Sequence, residues 1–290
     1  MHPPPPLSDK PLAPGLYIVA TPIGNLRDIT LRALDILNSA DLVAAEDTRV
    51  AAKLLSAYDI KAKVRRYDDH SDEAARGEIL ARLAAGERIA LISDAGTPLI
   101  SDPGFRLVAA AAAQGHDIFA APGPSAALAA LAVSGLATDR FLFAGFPPPK
   151  SQARRTAFED LANVRATLIF YESGPRLADS LNDMSDMFGD RPGVVARELT
   201  KLHETIVRGR LGELSDRFRG APPKGEIVVL VGAGQDEVAL EADVDQALQT
   251  ALTRLSPSEA AAEIAKAFGL RRKDLYRRAL LLRPPQPETE

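Results

Sequence analysis

The chain reads as an α/β protein: two successive α/β domains followed by a small helical segment. Three observations lead there. Between Gly15 and Ala121 short apolar runs alternate with helical patterns; after about residue 140 the runs lengthen and become β-rich; from about Glu241 the apolar pattern turns helical. Strict alternation of strand, loop and helix predicts βαβ units and a mainly parallel sheet.

The elements follow in order. "LYIVA" is a strand that ends in "TPIGNLRD" and opens a helix near 30–38. "ADLVAAEDT" repeats the pattern, with a helix near 49–57. "SDEAARGEILARLAAGE" is helical and leads into the buried strand "RIALIS", after which come "SDAGTPLISDPG", a helix near 104–114 and the strand in "DIFAAPGPSA". The stretch 93–104 crowds two Gly, two Pro, two Asp, two Ser and a Thr onto the end of a core strand. In open α/β sheets, ligands gather beyond the carboxyl ends of the strands, where backbone N–H groups and helix starts are free. Asp94, Thr97 and Ser125 therefore read as groups that orient a polar organic ligand, or else as Asx and Ser turns capping helices.

After "RFLFAGFPPPKSQARRTAF" come "ATLIFYESGPRL", "GVVARELTKLHETIVRG" and "KGEIVVLVGAG". These place one α/β domain over 15–123 and a second α/β or α+β domain over 124–236. In 241–283, Ser256 with Glu259 forms a capping box, Pro257 takes the first-turn position and Gly269 separates two short helices. Ile264, Phe268, Leu270, Leu275 and Ala279 are spaced to pack that pair together, as in a helix-turn-helix. Its second helix carries Arg271, Arg272, Lys273, Arg277 and Arg278, either a phosphate-contacting patch or a solvated face. The Pro-rich residues 1–14 and the final 284–290 read as a disordered leader and tail.

Composition removes several classes. At 290 residues, 46% hydrophobic and 26% charged, the chain has the make-up of a folded globular protein. The absence of Cys removes disulfides, thiolate metal sites and Cys nucleophiles. A net charge of -4 argues against a globally basic nucleic-acid binder, so any RNA contact must be regional. His stands only at 2, 70, 116 and 203, with no pair at ligand spacing, and no metal is expected. Neither G-x-G-x-x-G nor a Walker loop is present, and Ser125 lacks the G-x-S-x-G elbow. With no signal-like start and no apolar run long enough to span a bilayer, the chain reads as cytoplasmic, with no membrane partner.

"LYIVATPIGNLRDITLRAL", "AEDTR", "SDAGTPLISDPG", "PGPSA", "FYESGPR", "ARELTKLHE" and "KGE" stand in one order across roughly Gly15 to Val231. In that order the chain resembles the tetrapyrrole methylase superfamily, and within it the RsmI family of ribosomal RNA small-subunit (16S) cytidine 2′-O-methyltransferases. The C-terminal helical segment is similar to an extension found in that family. The resemblance implies two α/β domains with S-adenosylmethionine in the cleft between them, a homodimer, and methylation of a cytidine ribose in the decoding region of 16S rRNA within the small ribosomal subunit. It carries donor contacts onto Ile23, Asp94, Thr97, Ser125, Ala126, Tyr171 and Gly225. One element departs: "YDDHSDE" keeps Tyr67 and His70 but has Asp68 and Ser71 where a His- and Asn-containing loop is expected.

In-line methyl transfer needs positioning above all, with a base near the ribose hydroxyl as an aid. Glu46, Asp47, Glu172, Glu198 and Lys201 are the candidates, each with an ordinary alternative in a salt bridge to a neighbour such as Arg49, Arg176 or Arg197. Arg49, Lys150, Arg154, Arg155, Arg176, Arg271, Arg272 and Lys273 are the candidate RNA contacts, and Lys201 is a further one. Two other readings stay open at this point: methylation of a tetrapyrrole or another small molecule, and a ligand-sensing DNA-binding regulator.

Overall fold

The computed structural model describes residues 11–68, 73–234, 241–268, 270 and 272–282. They divide into two compact units, 1–233 and 234–290.

The first unit holds two five-stranded sheets. The first sheet is wholly parallel and is built from β1 (Gly15–Val19), β2 (Leu42–Ala45), β3 (Val64–Arg66), β4 (Arg88–Ile92) and β5 (Ile118–Ala121), in the order β3-β2-β4-β1-β5. Helices α1 (Leu31–Ser39), α2 (Thr48–Ala57), α3 (Glu73–Ala84) and α4 (Phe105–Ala113) connect the strands. Successive residues of a strand face opposite sides. Tyr17 and Val19 pack with α1 and α2, whereas Leu16 packs with α3 and α4. Helices on both faces explain why these strands are apolar throughout rather than alternating. α1 begins at a Thr30 cap, whose side chain accepts from the Ala33 N–H at 3.1 Å, and α2 begins at an Asp47 cap on Arg49.

β1 and β4 lie side by side, but β1 connects toward β2 and β4 toward β5. The chain therefore leaves these two neighbours in opposite directions, which opens a crevice at their carboxyl ends. The loops "TPIGN" and "SDAGTP" both start there and are tied by a two-way backbone bridge, Thr21 N–H to Gly96 O at 2.8 Å and Gly96 N–H to Thr21 O at 3.0 Å.

The second sheet is mixed. It contains β6 (Phe141–Gly145), β7 (Thr167–Ser173), β8 (Pro192–Arg197), β9 (Thr205–Arg210) and β10 (Glu226–Val231), in the order β6-β7-β10-β8-β9, with only β6 and β7 parallel. One face carries α6 (Ser151–Leu161), α7 (Leu177–Phe188) and α8 (Leu211–Phe218) over a core centred on Phe158, Phe170, Leu181 and Val229. The other face packs Ile169, Val194, Ala196, Val228 and Leu230 against Ala127, Ala130 and Leu131 of α5 (Ala126–Ser134), with Ile23 from the loop after β1 in the same cluster. That cluster joins the two sheets under the crevice.

The second unit contains α9 (Glu241–Leu252), α10 (Pro257–Phe268) and α11 (Arg272–Leu282). The capping box forms: Ser256 N–H donates to Glu259 Oε2 at 3.1 Å and Glu259 N–H donates to Ser256 Oγ at 3.4 Å. The core of the unit is Val244, Leu248, Ala260, Ala261, Ile264, Leu275 and Ala279. Phe268 and Leu270 differ from expectation. They are 37% and 46% exposed, because α9 supplies the apolar surface that the two-helix reading asked them to supply. Gly269 and Arg271, like residues 1–10 of the expected leader, the whole expected tail 284–290 and His70 and Ser71 of the departing loop, lie outside the described residues.

Candidate active site

A cavity of about 240 Å³ opens beyond the carboxyl ends of β1 and β4, over the α5 face of the second sheet. Its floor is apolar and buried: Ile23, Ala196, Leu199, Ile227 and Val228. Thr97, Ser101, Asp102, Ser125, Glu172 and Glu226 add polar groups, and Tyr171 and Phe146 add two rings.

The loop 93–104 is shaped for this place. Gly96 and Gly104 take left-handed φ values of 85° and 127°, and so, at steric cost, do Leu99 (73°) and Ser101 (66°). Non-glycine residues held in that region are a recurrent feature of ligand clamps. Thr97 Oγ1 donates to the Pro124 carbonyl at 3.0 Å, which locks "SDAGTP" to "PGPSA". Ser125 is the N-cap of α5, its hydroxyl accepting from Leu128 N–H at 3.5 Å. The first N–H groups of a helix have no partner within it and favour negative charge, so α5 presents an electropositive end to the cavity. Burial pushes the Tyr171 phenol up, opposed by the backbone N–H of Ala127 in the first turn of α5.

Of the seven expected donor contacts, Ile23, Thr97, Ser125, Ala126 and Tyr171 line the cavity. Asp94 does not. Its carboxylate accepts the Asp47 backbone N–H at 3.0 Å and ties the end of β2 to the loop after β4. Gly225 is not in the wall either; its φ of +99° and the closeness of Glu198, which a Cβ would strike, make it a turn that lets β10 start at Glu226.

The expected bases sort by partner. Glu172 is buried and accepts from Ser173 N–H at 2.8 Å, from Arg176 Nε at 2.8 Å and from the Ser180 hydroxyl. It holds the wall, and its oxygens are spent. Asp47 forms a fork with Arg49, and the guanidinium together with the Arg49 backbone N–H keeps its carboxyl far below the usual range, which makes it a poor base. Lys201 donates to Glu198 at 2.8 Å and to Glu226 at 2.9 Å. Burial disfavours its charge, but the two carboxylates outweigh burial and raise its pKa, so it stays an ammonium. Lys201 in turn holds Glu198 down, aided by the Glu226 backbone N–H. Glu46 is half-buried at the end of β2, outside the wall.

Among the expected RNA contacts, Lys150 is exposed at the start of α6 and Arg49 is exposed beside Asp47. Arg155 bridges Asp183 at 3.1 Å and Asp186 at 2.7 Å. Arg176 is turned inward to Glu172 and the Pro147 carbonyl. Arg154 must be corrected: it is 4% exposed, and its guanidinium is used by Asp183 at 2.5 Å and by the Pro149 carbonyl at 3.3 Å. Its place in the run "KSQARR" gave no sign that it points into the core. Arg272 donates to Ser258 Oγ at 3.0 Å and Lys273 is exposed on α11. Residue patterns also missed Glu226, Phe146 and Ser101; the motif "KGE" contained the first, and an aromatic before three prolines was the available signal for the second. Among the described residues no cluster has the make-up of a metal site.

The fold and the cavity define a methyltransferase of the tetrapyrrole (corrin/porphyrin) methylase family, whose model matches residues 15–215, and the chain belongs to it. Within that family it is one of the ribosomal RNA small subunit methyltransferase I proteins. The relative of that name from Mesorhizobium japonicum is 49% identical over 96% of both chains, and the one from Erythrobacter litoralis is 53% identical over 95% of this chain and 98% of its own. Residues 238–283 match the RsmI C-terminal HTH domain. Among solved structures, uroporphyrin-III C-methyltransferase from Thermus thermophilus complexed with S-adenyl homocysteine has a TM-score of 0.53 at 20% identity, covering 75% of this chain and 97% of that one, and supports the fold. The methyl donor of the family is S-adenosylmethionine. The cavity fits it: an apolar floor and the half-buried Tyr171 ring suit an adenosine, and the start of α5 suits a carboxylate.

Proposed function

We propose that this protein methylates the 2′-oxygen of a cytidine ribose in the decoding region of 16S rRNA, acting on the small ribosomal subunit in the cytoplasm. Relatives named ribosomal RNA small subunit methyltransferase I, aligned over nearly the whole chain, carry the reading. Neither the small-molecule acceptor nor the DNA-binding regulator is favoured by them.

Ile23, Thr97, Ser125, Ala126 and Tyr171 hold the donor, between α/β domains 15–123 and 124–236. Bound S-adenosylmethionine supplies a methyl group on a sulfonium, open to in-line attack. The chain's own work is to hold the ribose oxygen on that line and to exclude water. The donor's charge disappears during transfer, which is consistent with a cavity of apolar floor and few unpaired charges. Of the three wall carboxylates, Glu172 is spent, Asp102 is half-buried and Glu226 is the most exposed, 74% at its side chain. Glu226, steadied by Lys201, takes the hydroxyl proton. Lys150, Arg49, Arg155 and the cations of 271–273 contact phosphates.

The protein acts as a homodimer. Phe105 (73% exposed), Leu128 (53%) and Val133 (41%) are apolar side chains on α4 and α5 that support a second copy there. Sedimentation at micromolar concentration tests this.

Incubation with labelled S-adenosylmethionine and small subunits lacking their native ribose methylation, followed by digestion, should place label on a cytidine 2′-oxygen. Donor binding without label would exclude this acceptor.

A further inference from the structure

We infer that Phe146 is a platform on which the acceptor nucleobase stacks, a base subsite at the mouth of the donor cavity. This rests on the RNA reading above and deepens it.

Phe146 lines the cavity and yet is 60% exposed, while Ala196, Ile227 and Val228 on the floor are buried. The ring therefore stands at the rim. An exposed aromatic face at a cleft mouth is open to the flat face of a ligand.

The ring is firmly held. It meets Tyr171 edge to face, centroids 5.5 Å apart at 66°, and Tyr171 meets Phe143 in the same way at 4.8 Å and 65°. Before it, Gly145 has φ +67°, and a Cβ there would lie 3.5 Å from Ser101 Oγ, so the end of β6 rests against the loop 93–104. After it come three prolines with fixed φ, and Arg176 donates to the carbonyl of the first at 3.1 Å. Arg176 is itself anchored on buried Glu172. Beyond the prolines stands exposed Lys150.

Methylation of a ribose oxygen inside a cleft requires the nucleotide to leave its stack, and the unstacked base then needs another π-surface. Proteins that take single-stranded RNA pair an aromatic face for the base with a cation for the phosphate. Of the two rings in the wall, Tyr171 is half-buried and flanked by two others, which leaves Phe146.

The test compares Phe146→Ala, Phe146→Leu and Phe146→Trp. Methylation of unmethylated small subunits and calorimetric binding of S-adenosylmethionine are measured for each. The Ala and Leu variants should lose about tenfold to a hundredfold in kcat/KM with donor affinity unchanged. The Trp variant should retain activity. Because the chain has no other Trp, its fluorescence reports the site directly. It should be quenched by subunits beyond the loss that free tryptophan shows at the same absorbance. Should Phe146→Ala not fold, the Leu and Trp variants decide. A Leu variant with full kcat/KM overturns the platform, and so does a matching loss of donor affinity, which would make Phe146 a wall of the donor pocket. A wild-type enzyme that leaves subunits unlabelled fails the acceptor reading first and takes the platform with it. An active wild type with an active Leu variant refutes the platform alone.

Discussion

Lys201 shows how one residue changes meaning once its partners are known. As a cation in "ARELTK" it suits a phosphate or, if neutral, a base. Clamped between Glu198 and Glu226 it is an ammonium paired to the most exposed of the wall carboxylates. Replacing Glu226 by Gln should lower kcat for subunit methylation about a hundredfold or more, the usual worth of a positioned base, while donor affinity stays level; single-turnover kinetics check it. Glu172→Gln should instead lower the melting temperature, since its carboxylate satisfies Ser180 and Arg176. Arg154 is a second instance. Removing one partner of a buried ion pair strands the other, so Arg154→Ala should cost about 3–5 kcal/mol in denaturant unfolding. RNA affinity of the folded fraction should be unchanged, in contrast to Lys150→Ala.

At the scale of elements, β2 and β4 are joined at their starts by Asp41 and Arg88. The carboxylate takes both Arg88 Nε and the Arg88 backbone N–H at 2.8 Å. The guanidinium, with that N–H, lowers the Asp41 pKa to about 2, against about 3.9 for an unfolded Asp. A depressed folded pKa means stability that is complete above about pH 4 and lost as pH falls toward about 2. Asp41→Asn should flatten that acid limb of the unfolding free energy and leave the neutral-pH activity intact; urea midpoints from about pH 2 to about pH 6 would show it. The loop 93–104 works at the same scale. Its density of Gly, Pro and hydroxyl residues announces a turn, and the observed bridge to Thr21 and the Thr97 bond to Pro124 show which turns meet. Sequence distance hid that meeting, because Thr21, Gly96 and Pro124 come together only when β1, β4 and β5 lie side by side.

For the whole molecule, the residues proposed to contact the substrate and those proposed to hold the donor are different sets. Exchanging Arg272 and Lys273 for Gln should weaken subunit binding and reduce the slope of log affinity against log salt by about 0.7–0.9 for each phosphate that is no longer neutralised, with donor affinity unchanged. Filter binding over a salt series measures it; an equal fall in donor binding would mean misfolding. The sequence by itself determined much here. The period of its apolar runs specified a parallel α/β sheet, its Ser256–Glu259 pair a helix start, and its ordered motifs the family and part of the cavity wall (Ile23, Thr97, Ser125, Ala126 and Tyr171), since each depends on neighbours a few residues apart. Only the tertiary structure decided that Arg154 is buried, that Asp94 faces the backbone of Asp47 and that Glu226 and Phe146 stand at the cleft. Burial and pairing across strands are set by which distant segments pack together, and a residue's type and its near neighbours do not carry that information.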